Sequence, residues 1–421
     1  IHAQGYVGGL QAGSQSVMAS FNSWHGVKNH GNKYLLTEVL KDRMGFDGFV
    51  VGDWNGHGQV SGCSNESCPQ AINAGLDIFM VPTGAWKPLY ENTIKQVING
   101  EIALTRIDDA VTRILRVKVR AGLFNKPSPA NRTLSGKTAL IGAKAHRDIA
   151  QQAVRESLVL LKNQNNVLPL KQNQHILITG EGADNIGKQS GGWTITWQGT
   201  GNNNDDFPGG TSIYAGFKAK FSDANTNAKN SGSLQLSTDG SYQQKPDVAV
   251  VVFGEDPYAE GNGDLDNLEY QRGNKKDLAL LKQLKAQGIK VVSIFISGRP
   301  LWVNAELNAS DAFVAAWLPG SEGAGIADVL LTKVDGSVDY DFVGKLSYSW
   351  PASAEQTAVN RHDEDYQPLL PYGYGLSYTS SEKEINTLGN TLNEEATKTT
   401  TQLLPLKIFD RSVQKPWRVT L

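Results

Sequence analysis

The chain has 421 residues, of which 39% are hydrophobic and 19% charged, and its formal net charge at pH 7 is −2. A chain of this length favours two domains with separate cores. The near-zero charge gives no indication of nucleic acid or of a membrane surface as a partner, and no apolar run reaches the roughly 18–20 residues that a membrane helix needs.

Residues 1–124 alternate between strand-like and helix-like segments. Strands are predicted at SVMASF, FDGFVVGDW and LDIFMV, and helices at NKYLLTEVLKDRM, CPQAINAG, PLYENTIKQVING and TRIDDAVTRILRVKVRAGLF. Thr105 is expected to cap the last of these helices. Because strands that alternate with helices pair in parallel, and because FVV and IFMV are apolar on both faces, the pattern predicts a parallel sheet.

The segment NKPSPANRTLSGK is rich in Pro, Ser, Asn and Gly and predicts a linker, which we place at residues 125–145. A second alternating block occupies residues 146–378. Its predicted elements include a helix at HRDIAQQAVRESLVLLKN and four strands at HILITG, DVAVVVFG, KVVSIFISG and AFVAAWLPG. These segments predict a second α/β layer with a parallel sheet of its own.

Residues 379–421 are polar and repetitive in their first half. We interpret them as a linker or poorly ordered tail, followed by the start of a further β module at LPLKIFDRSVQKPWRVTL.

The two cysteines, Cys63 and Cys68, have four residues between them. This spacing permits a small disulfide loop, which would favour an oxidising compartment. Two free thiols are the alternative, and a metal site is disfavoured because no second Cys/His pair is near.

Asp53 follows an apolar strand and precedes a loop of sequence Trp-Asn-Gly-His-Gly. In parallel α/β folds, functional side chains gather at the C-terminal ends of strands. An aspartate that caps the next helix is the simpler alternative, but the residues that follow do not resemble a helix start. Asp53 is therefore a candidate catalytic carboxylate.

The loop GEDPYAEGNGD follows another predicted strand. It contains four acids, Glu255, Asp256, Glu260 and Asp264. A solvated acidic loop is the simplest interpretation of any one of them. Calcium binding is disfavoured because the D-x-D-x-D-G spacing is absent. Pro257 and Tyr258 would stiffen the loop and hold one acid in a fixed place.

Two tryptophans, Trp193 and Trp197, lie four residues apart in the glycine-framed segment SGGWTITWQG. The flat apolar faces of sugars stack on indole rings, so this pair near carboxylates suggests a carbohydrate ligand. Packing of both rings in a core is the alternative.

Other catalytic chemistries have little support in the sequence. No G-x-S-x-G elbow occurs, and His25, His30 and His57 lack metal-ligand spacing. The glycine spacing of GEGADNIG differs from that of a dinucleotide fingerprint. Neither a cofactor nor a metal is expected.

Taken together, these motifs resemble the family 3 glycoside hydrolases, and most closely their two-domain exo-β-glucanases of bacteria and cereals. The matching segments are SVMASFNSWHGVKNHGNKYLLTEVLKDRMGFDGFVVGDW, ESLVLLKN with LPL, GGWTITWQG, GEDPYAE-x-x-GD, SGRP, AAWLPGSEG and YGYGLSY. They occur in the family order and extend from residue 1 to about residue 378, which makes the match specific.

The resemblance implies that residues 1–124 are the C-terminal part of a (β/α)8 barrel and that residues 146–378 form a flavodoxin-like α/β sandwich. Asp53 falls on the nucleophile of the family's (G/S)DW motif. Glu260, not Glu255, falls on the acid/base of the (G/A)E-x-PY-x-E motif, which the second domain carries. Substrate contacts are implied for Trp54, Met18, Trp193 and Trp197.

The implied activity is the release of glucose from non-reducing ends of β-1,3/β-1,4-glucans by a retaining double displacement, in the periplasm or outside the cell. β-Glucan oligosaccharides and glucose are the implied ligands. One alternative is a β-N-acetylglucosaminidase of the same family, which the GEDPYAE motif disfavours. The other is an inactive carbohydrate-binding fragment.

The family's barrel is complete, whereas this chain matches it from shortly before the sixth strand. We therefore expect the first five strands to form a missing N-terminal barrel segment that acts as a structural partner. Two residues also depart from the cereal members, which have Arg where this chain has Gln59 and Tyr where it has Phe21.

Overall fold

The computed structural model describes residues 3–225, 232–381, 384, 388 and 391–395. In this part the chain forms two units, which divide between residues 138 and 139. None of the helices in the described ranges combines the length and the apolar composition that crossing a membrane requires. The further β module predicted at LPLKIFDRSVQKPWRVTL lies outside the described residues.

The first unit is built around a short parallel sheet. Its strands are β1 (Ser16–Met18), β2 (Ser23–Trp24), β3 (Val27–Lys28), β4 (Phe49–Trp54) and β5 (Ile78–Met80). Strands β1, β4 and β5 lie side by side in that order and pair in parallel, as the alternation of strands and helices predicts. Strands β2 and β3 form an antiparallel hairpin that the sequence pattern does not predict.

The helices of the first unit lie at Gln4–Gln11, Tyr34–Arg43, Pro69–Ala74, Trp86–Ile98 and Leu104–Arg120. The prediction that Thr105 caps the last helix is wrong, because the chain becomes helical at Leu104 and the N-cap residue, Ala103, has no capping side chain. Local signals delimit the Pro69–Ala74 helix well. A proline opens it, and Gly75 ends it with a φ of 117°, which a side chain would disfavour.

A buried carboxylate anchors β4 near its start. The side chain of Asp77 is fully buried, and its Oδ2 accepts the backbone N–H of Val50 at 2.7 Å. Its Oδ1 accepts hydrogen bonds from Lys41, at 2.8 Å, and from Arg106. Because two cations and a backbone donor satisfy this carboxylate, Asp77 fixes β4 against the segment that leads into β5.

The second unit contains a six-stranded mixed sheet. Its strands are β6 (Val159–Asn163), β7 (His175–Thr179), β8 (Ser233–Ser237), β9 (Val248–Gly254), β10 (Lys290–Ile296) and β11 (Ala312–Trp317). Their spatial order is β6-β11-β10-β9-β7-β8. Strands β7 to β11 pair in parallel, and they include the four strands that the sequence predicts. The sheet also contains β6, which the sequence predicts as helix and which runs antiparallel to β11.

The helix predicted at HRDIAQQAVRESLVLLKN is wrong in its last third. A helix spans Lys144–Ser157, and β6 begins at Val159. Residues 158–163 are all buried, which ends the one-faced pattern of the helix and is typical of a strand covered on both faces. Strand β8 escapes prediction because SLQLS is short and half polar.

Both faces of this sheet are covered. The accompanying helices lie at Lys144–Ser157, Ile186–Ser190, Ile213–Asn225, Lys276–Ala286, Asn304–Asn308 and Ala324–Leu330. Val250, Val252 and Ile294 enter the core on one face, and Phe253 and Phe295 enter the core on the other. This double burial explains why β9 has the sequence VAVVVFG without an alternating polar residue.

The predicted linker is exposed over residues 124–142 and contains short turns at Pro129–Asn131 and Thr138–Leu140. Part of the predicted tail lies against the helix Asn304–Asn308 of the second unit. Asn304 and Asn308 donate side-chain hydrogen bonds at 2.9 Å to backbone oxygens of the segment 391–395.

Candidate active site

Asp53 lies near the end of β4, where its half-buried carboxylate borders the following loop. Its Oδ1 accepts the backbone N–H of Trp54 at 2.7 Å, and its Oδ2 has no hydrogen-bond partner among the described residues. The helix-cap alternative does not hold, because the next turn, Gly56–Gln59, begins after Asn55 and has no side-chain cap. One carboxylate oxygen is therefore held and the other is free.

His30 supports the backbone at Asp53. Its Nε2 accepts the Asp53 N–H at 2.8 Å, and its side chain is buried in the turn Asn29–Gly31. Burial lowers the pKa of the His30 imidazole, while the nearby Asp53 carboxylate acts in the opposite direction. This contact was not identified from the sequence, because the histidines were considered there only as candidate metal ligands.

Met18 and Trp54, which the resemblance marks as substrate contacts, lie at the same end of the sheet as Asp53. Met18 is the last residue of β1 and Trp54 the last of β4, and these strands are parallel neighbours. Both side chains are exposed, that of Trp54 by 59%. The first unit thus presents a carboxylate and two exposed apolar side chains at one sheet edge.

Glu260 lies in the loop that follows β9, at the start of the turn Glu260–Gly263. Its φ of 50° is left-handed, a conformation that costs a residue with a side chain about 1–2 kcal/mol. Its Oε2 accepts the indole N–H of Trp197 at 2.7 Å. The structure therefore joins two of the predicted site residues that are 63 positions apart.

The two tryptophans of the segment 190–199 are exposed, Trp193 by 69% and Trp197 by 55%. Their ring centroids are 6.4 Å apart and the planes are inclined by 54°. The alternative that both rings pack in a core does not hold. Two large indole faces are open to solvent beside a carboxyl group, an arrangement suited to stacking against a sugar.

The tryptophan loop and the Glu260 loop pack closely against each other. The side-chain oxygen of Gln198 accepts the backbone N–H of Ala259, the neighbour of Glu260, at 2.8 Å. Gly192 lies so close to the carbonyl of Tyr258 that a Cβ at this position would overlap it. These contacts fix Glu260 relative to the indoles, and Gln198 and Gly192 were not among the predicted site residues.

Two of the four acids in the Glu260 loop are paired with cations. Glu255 accepts hydrogen bonds from Arg299 at 2.7 and 3.0 Å, and the Arg299 guanidinium also lies 4.6 Å from the ring centre of Tyr258. Asp256 pairs with Lys188 at 2.7 Å. Glu255 and Asp256 therefore stiffen the loop.

Tyr258 also contacts Glu255 in this loop. Its hydroxyl donates to Glu255 at 3.2 Å, and burial together with the Glu255 charge raises the pKa of Tyr258 to about 12. The phenol therefore stays protonated and remains a donor at neutral pH. Within the described ranges, neither Glu260 nor Asp264 forms an ion pair with a cation.

The two cysteines form a disulfide between Cys63 and Cys68. The free-thiol and metal alternatives therefore do not hold for this pair. In the portion of the chain that the structure describes, no group of three or more His, Cys, Asp or Glu side chains is arranged to hold a metal ion.

Protein-family models match both units of the chain. Residues 1–117 match the N-terminal domain of glycosyl hydrolase family 3, and residues 158–378 match its C-terminal domain. Curated relatives include a lysosomal beta glucosidase of Dictyostelium discoideum, 34% identical over 394 residues (88% of this chain and 46% of the relative). A periplasmic beta-glucosidase of Salmonella typhimurium is 30% identical over 427 residues (89% and 54%). The chain spans about half the length of these relatives.

Solved structures of similar fold carry related names. The exo-1,3/1,4-beta-glucanase of a Pseudoalteromonas species superposes with a TM-score of 0.88 at 53% identity, covering 94% of this chain and 48% of that one. A beta-glucosidase of Listeria innocua in complex with glucose gives a TM-score of 0.71 at 25% identity, covering 89% and 53%.

Proposed function

Because this chain belongs to glycosyl hydrolase family 3, we propose that the complete protein is a retaining, exo-acting β-glucan glucohydrolase or β-glucosidase. It releases glucose from the non-reducing ends of β-1,3/β-1,4-glucans. The observation that carries this proposal is the Trp197 indole, which donates to Glu260 and offers an exposed face beside that carboxyl group. The names of the relatives support the same substrate class.

Asp53 is the nucleophile and Glu260 the acid/base of this reaction. Glu260 protonates the glycosidic oxygen as the free Oδ2 of Asp53 attacks the anomeric carbon, and the aglycone leaves. Glu260 then takes a proton from water, whose oxygen displaces Asp53 from the glycosyl-enzyme. Net retention requires the two carboxyl groups to stand about 5–5.5 Å apart during turnover.

In this proposal the first unit is the C-terminal part of a (β/α)8 barrel, and the second is a flavodoxin-like sandwich. The parallel order of β1, β4 and β5 with intervening helices supports the barrel. Apolar side chains on the last two helices of the first unit, such as Ile98 and Val119, are more than half exposed. Ile98 also lines an apolar cleft together with Tyr90, Ile94 and Ile107. Uncovered apolar patches of this kind mark interaction surfaces, and a further barrel segment is the partner that we propose for them.

The site of action is the periplasm or the extracellular space. The disulfide between Cys63 and Cys68 persists in oxidising compartments. One of the relatives is named as periplasmic.

The proposed activity predicts which product forms first. With laminari- and cello-oligosaccharides as substrates for the complete protein, proton NMR at early times should detect glucose in the β configuration before mutarotation. The oligosaccharide should shorten by one unit at a time. Initial release of α-glucose would contradict the retaining mechanism, and faster cleavage of N-acetylglucosaminides would favour the alternative activity.

Substitutions of the two tryptophans should separate the contribution of stacking to catalysis from that of the hydrogen bond to Glu260. Trp193→Ala removes an indole face and should lower kcat/KM for laminaritriose by about tenfold, equivalent to 1.4 kcal/mol, with a smaller effect on an aryl β-glucoside. Trp197→Phe keeps an aromatic face but removes the N–H donor to Glu260. It should therefore lower kcat/KM for laminaritriose and for the aryl β-glucoside by a similar factor.

Steady-state kinetics on both substrates checks this pair of variants. Trp86, which is 59% exposed in the first unit, provides a matched control as Trp86→Ala, with near-normal kinetics expected. Equal losses on both substrates for Trp193→Ala would show that this ring is structural and does not bind sugar.

A further inference from the structure

His30 occupies a position that the proposed mechanism does not use. Its side chain is 1% exposed, and its Nε2 lies 2.8 Å from the backbone nitrogen of Asp53. A backbone N–H can only donate, so Nε2 must be an unprotonated acceptor. The neutral ring then carries its proton on Nδ1, which is buried and has no partner among the described residues.

The chain leaves space for this ring on both sides of Asp53. A Cβ on Gly52 would come within 3.3 Å of His30 Cδ2, and a Cβ on Gly56 would overlap Cε1 and Nε2. Phe21 lies close by, with its ring centroid 6.2 Å from that of His30. The end of β4 and the following turn therefore wrap around the imidazole, and side chains at the two glycine positions would displace it.

The surroundings favour the neutral ring. The ionisable groups that act on His30 are Asp53, His57 and Lys28. Asp53 favours the imidazolium, but burial, Lys28 and His57 oppose it, and the resulting pKa lies below the ordinary value of 6.5. Near neutral pH the hydrogen bond to Asp53 is therefore intact.

We propose that neutral His30 is a positioning residue for Asp53, which it serves by accepting the backbone N–H of that residue and so fixing the direction of its carboxylate. The inference rests on the proposed role of Asp53 as nucleophile. The inference also has a consequence for pH dependence, because a proton on Nε2 of His30 removes the hydrogen-bond acceptor. The hydrogen bond is then lost and the end of β4 is released.

The direction of the pH effect follows from the lowered pKa. In the unfolded chain His30 titrates near 6.5, whereas in the folded protein it titrates lower. The contribution of His30 to the free energy of unfolding is therefore fully present above about pH 6.5. It is lost as the pH falls through the lower pKa that His30 has in the folded protein. Activity that depends on neutral His30 falls over the same acidic range.

Two substitutions separate the effect of the hydrogen-bond acceptor of His30 from the effect of its side-chain volume. His30→Leu fills the site but cannot accept a hydrogen bond, and we expect kcat to fall by about 10–100-fold with KM changed less than threefold, as for a misaligned catalytic group. His30→Gln offers an amide oxygen as acceptor and should recover most of kcat. Because Gln does not titrate, the acidic limb of the pH–kcat profile should also move to lower pH.

His57→Gln is the matched control. His57 is a buried histidine of the same unit that contacts the backbone oxygen of Asn65 at 2.9 Å. Because His57 disfavours the His30 imidazolium, its replacement should not move the acidic limb to lower pH, in contrast to His30→Gln. A further variant, Gly56→Ala, should displace the ring and lower kcat as His30→Leu does. Thermal unfolding of each variant identifies losses that come from misfolding.

A spectroscopic readout tests the inference without activity. In ¹⁵N NMR of histidine-labelled complete protein at pH 8, His30 should show an unprotonated Nε2 and a protonated Nδ1. A protonated Nε2, or equal kcat and equal acidic limbs for His30→Gln and His30→Leu, would overturn the inference. Failure of the proposed function has a different signature, since Asp53→Asn would then turn over normally whatever the His30 variants do.

Discussion

Replacement of Asp53 by Asn should lower kcat for β-glucosides by about four orders of magnitude or more. An amide oxygen is a poor nucleophile, so the covalent glycosyl-enzyme cannot form. The scale follows from another hydrolase, in which loss of the nucleophile alone costs about 10⁶-fold. The measurement is steady-state hydrolysis of an aryl β-glucoside by the complete protein.

This loss should be chemical and not structural. The amide oxygen of Asn can still accept the N–H of Trp54 that now reaches Oδ1, so the unfolding temperature should stay within a few degrees. Asp47→Asn is the matched control, because Asp47 is an exposed carboxylate of the same unit that pairs with Arg120. Turnover of Asp53→Asn within tenfold of the parent would remove the nucleophile assignment.

A covalent trap gives an independent check on Asp53. A 2-deoxy-2-fluoro-β-glucoside with a good leaving group should accumulate a glycosyl-enzyme, because the fluorine slows its breakdown. Peptide mass spectrometry should then locate the sugar on Asp53, and a label on any other carboxylate would contradict the proposal.

Replacement of Glu260 by Ala should have an effect that depends on the leaving group. For laminaribiose, whose leaving alcohol needs a proton, kcat/KM should fall on the order of 10³-fold, within the range typical of general acid catalysis. For a dinitrophenyl β-glucoside, which needs no proton, formation of the glycosyl-enzyme should be nearly unaffected. Pre-steady-state release of dinitrophenol measures this difference.

Asp264→Asn serves as the control for Glu260, since Asp264 is an exposed acid of the same loop. Its kinetics should remain near normal with both substrates. Azide should also restore turnover of Glu260→Ala and yield β-glucosyl azide, because an anion can replace the water that Glu260 activates. Equal losses with laminaribiose and the dinitrophenyl glucoside would show that Glu260 is not the general acid.

The two motifs that carry the candidate carboxylates could be found in the sequence because each is short and lies at or just after the end of an apolar strand. FVVGDW predicts both β4 and an acid at its end, and VAVVVFG predicts β9 together with the acidic loop after it. Strands buried on both faces are recognisable from a few adjacent residues. The same local rule fails at the junction of Ser157 and Val159, where a helix and a strand share one apolar run.

The residues that support the site could not be found in this way. His30 lies 23 positions from Asp53, Arg299 lies 44 positions from Glu255, and Gln198 lies 61 positions from Ala259. Each supporting residue is an ordinary polar residue in its own local segment. Only the paired strands and the close approach of loops give it a partner, and a single sequence does not encode that pairing in any local period.

By itself, the sequence determined the two α/β blocks, the family, and the identities of the candidate carboxylates and indoles. The two blocks follow from side-chain patterns that repeat within a few residues, whereas the family and the choice of Glu260 among four acids follow from the resemblance of short motifs to the family 3 glycoside hydrolases. The tertiary structure alone decided that β6 is antiparallel and that the Trp197 indole donates to Glu260. It also decided that a buried, neutral imidazole holds the backbone of Asp53. Such contacts join residues distant in the chain, and they form only when packing brings those residues together.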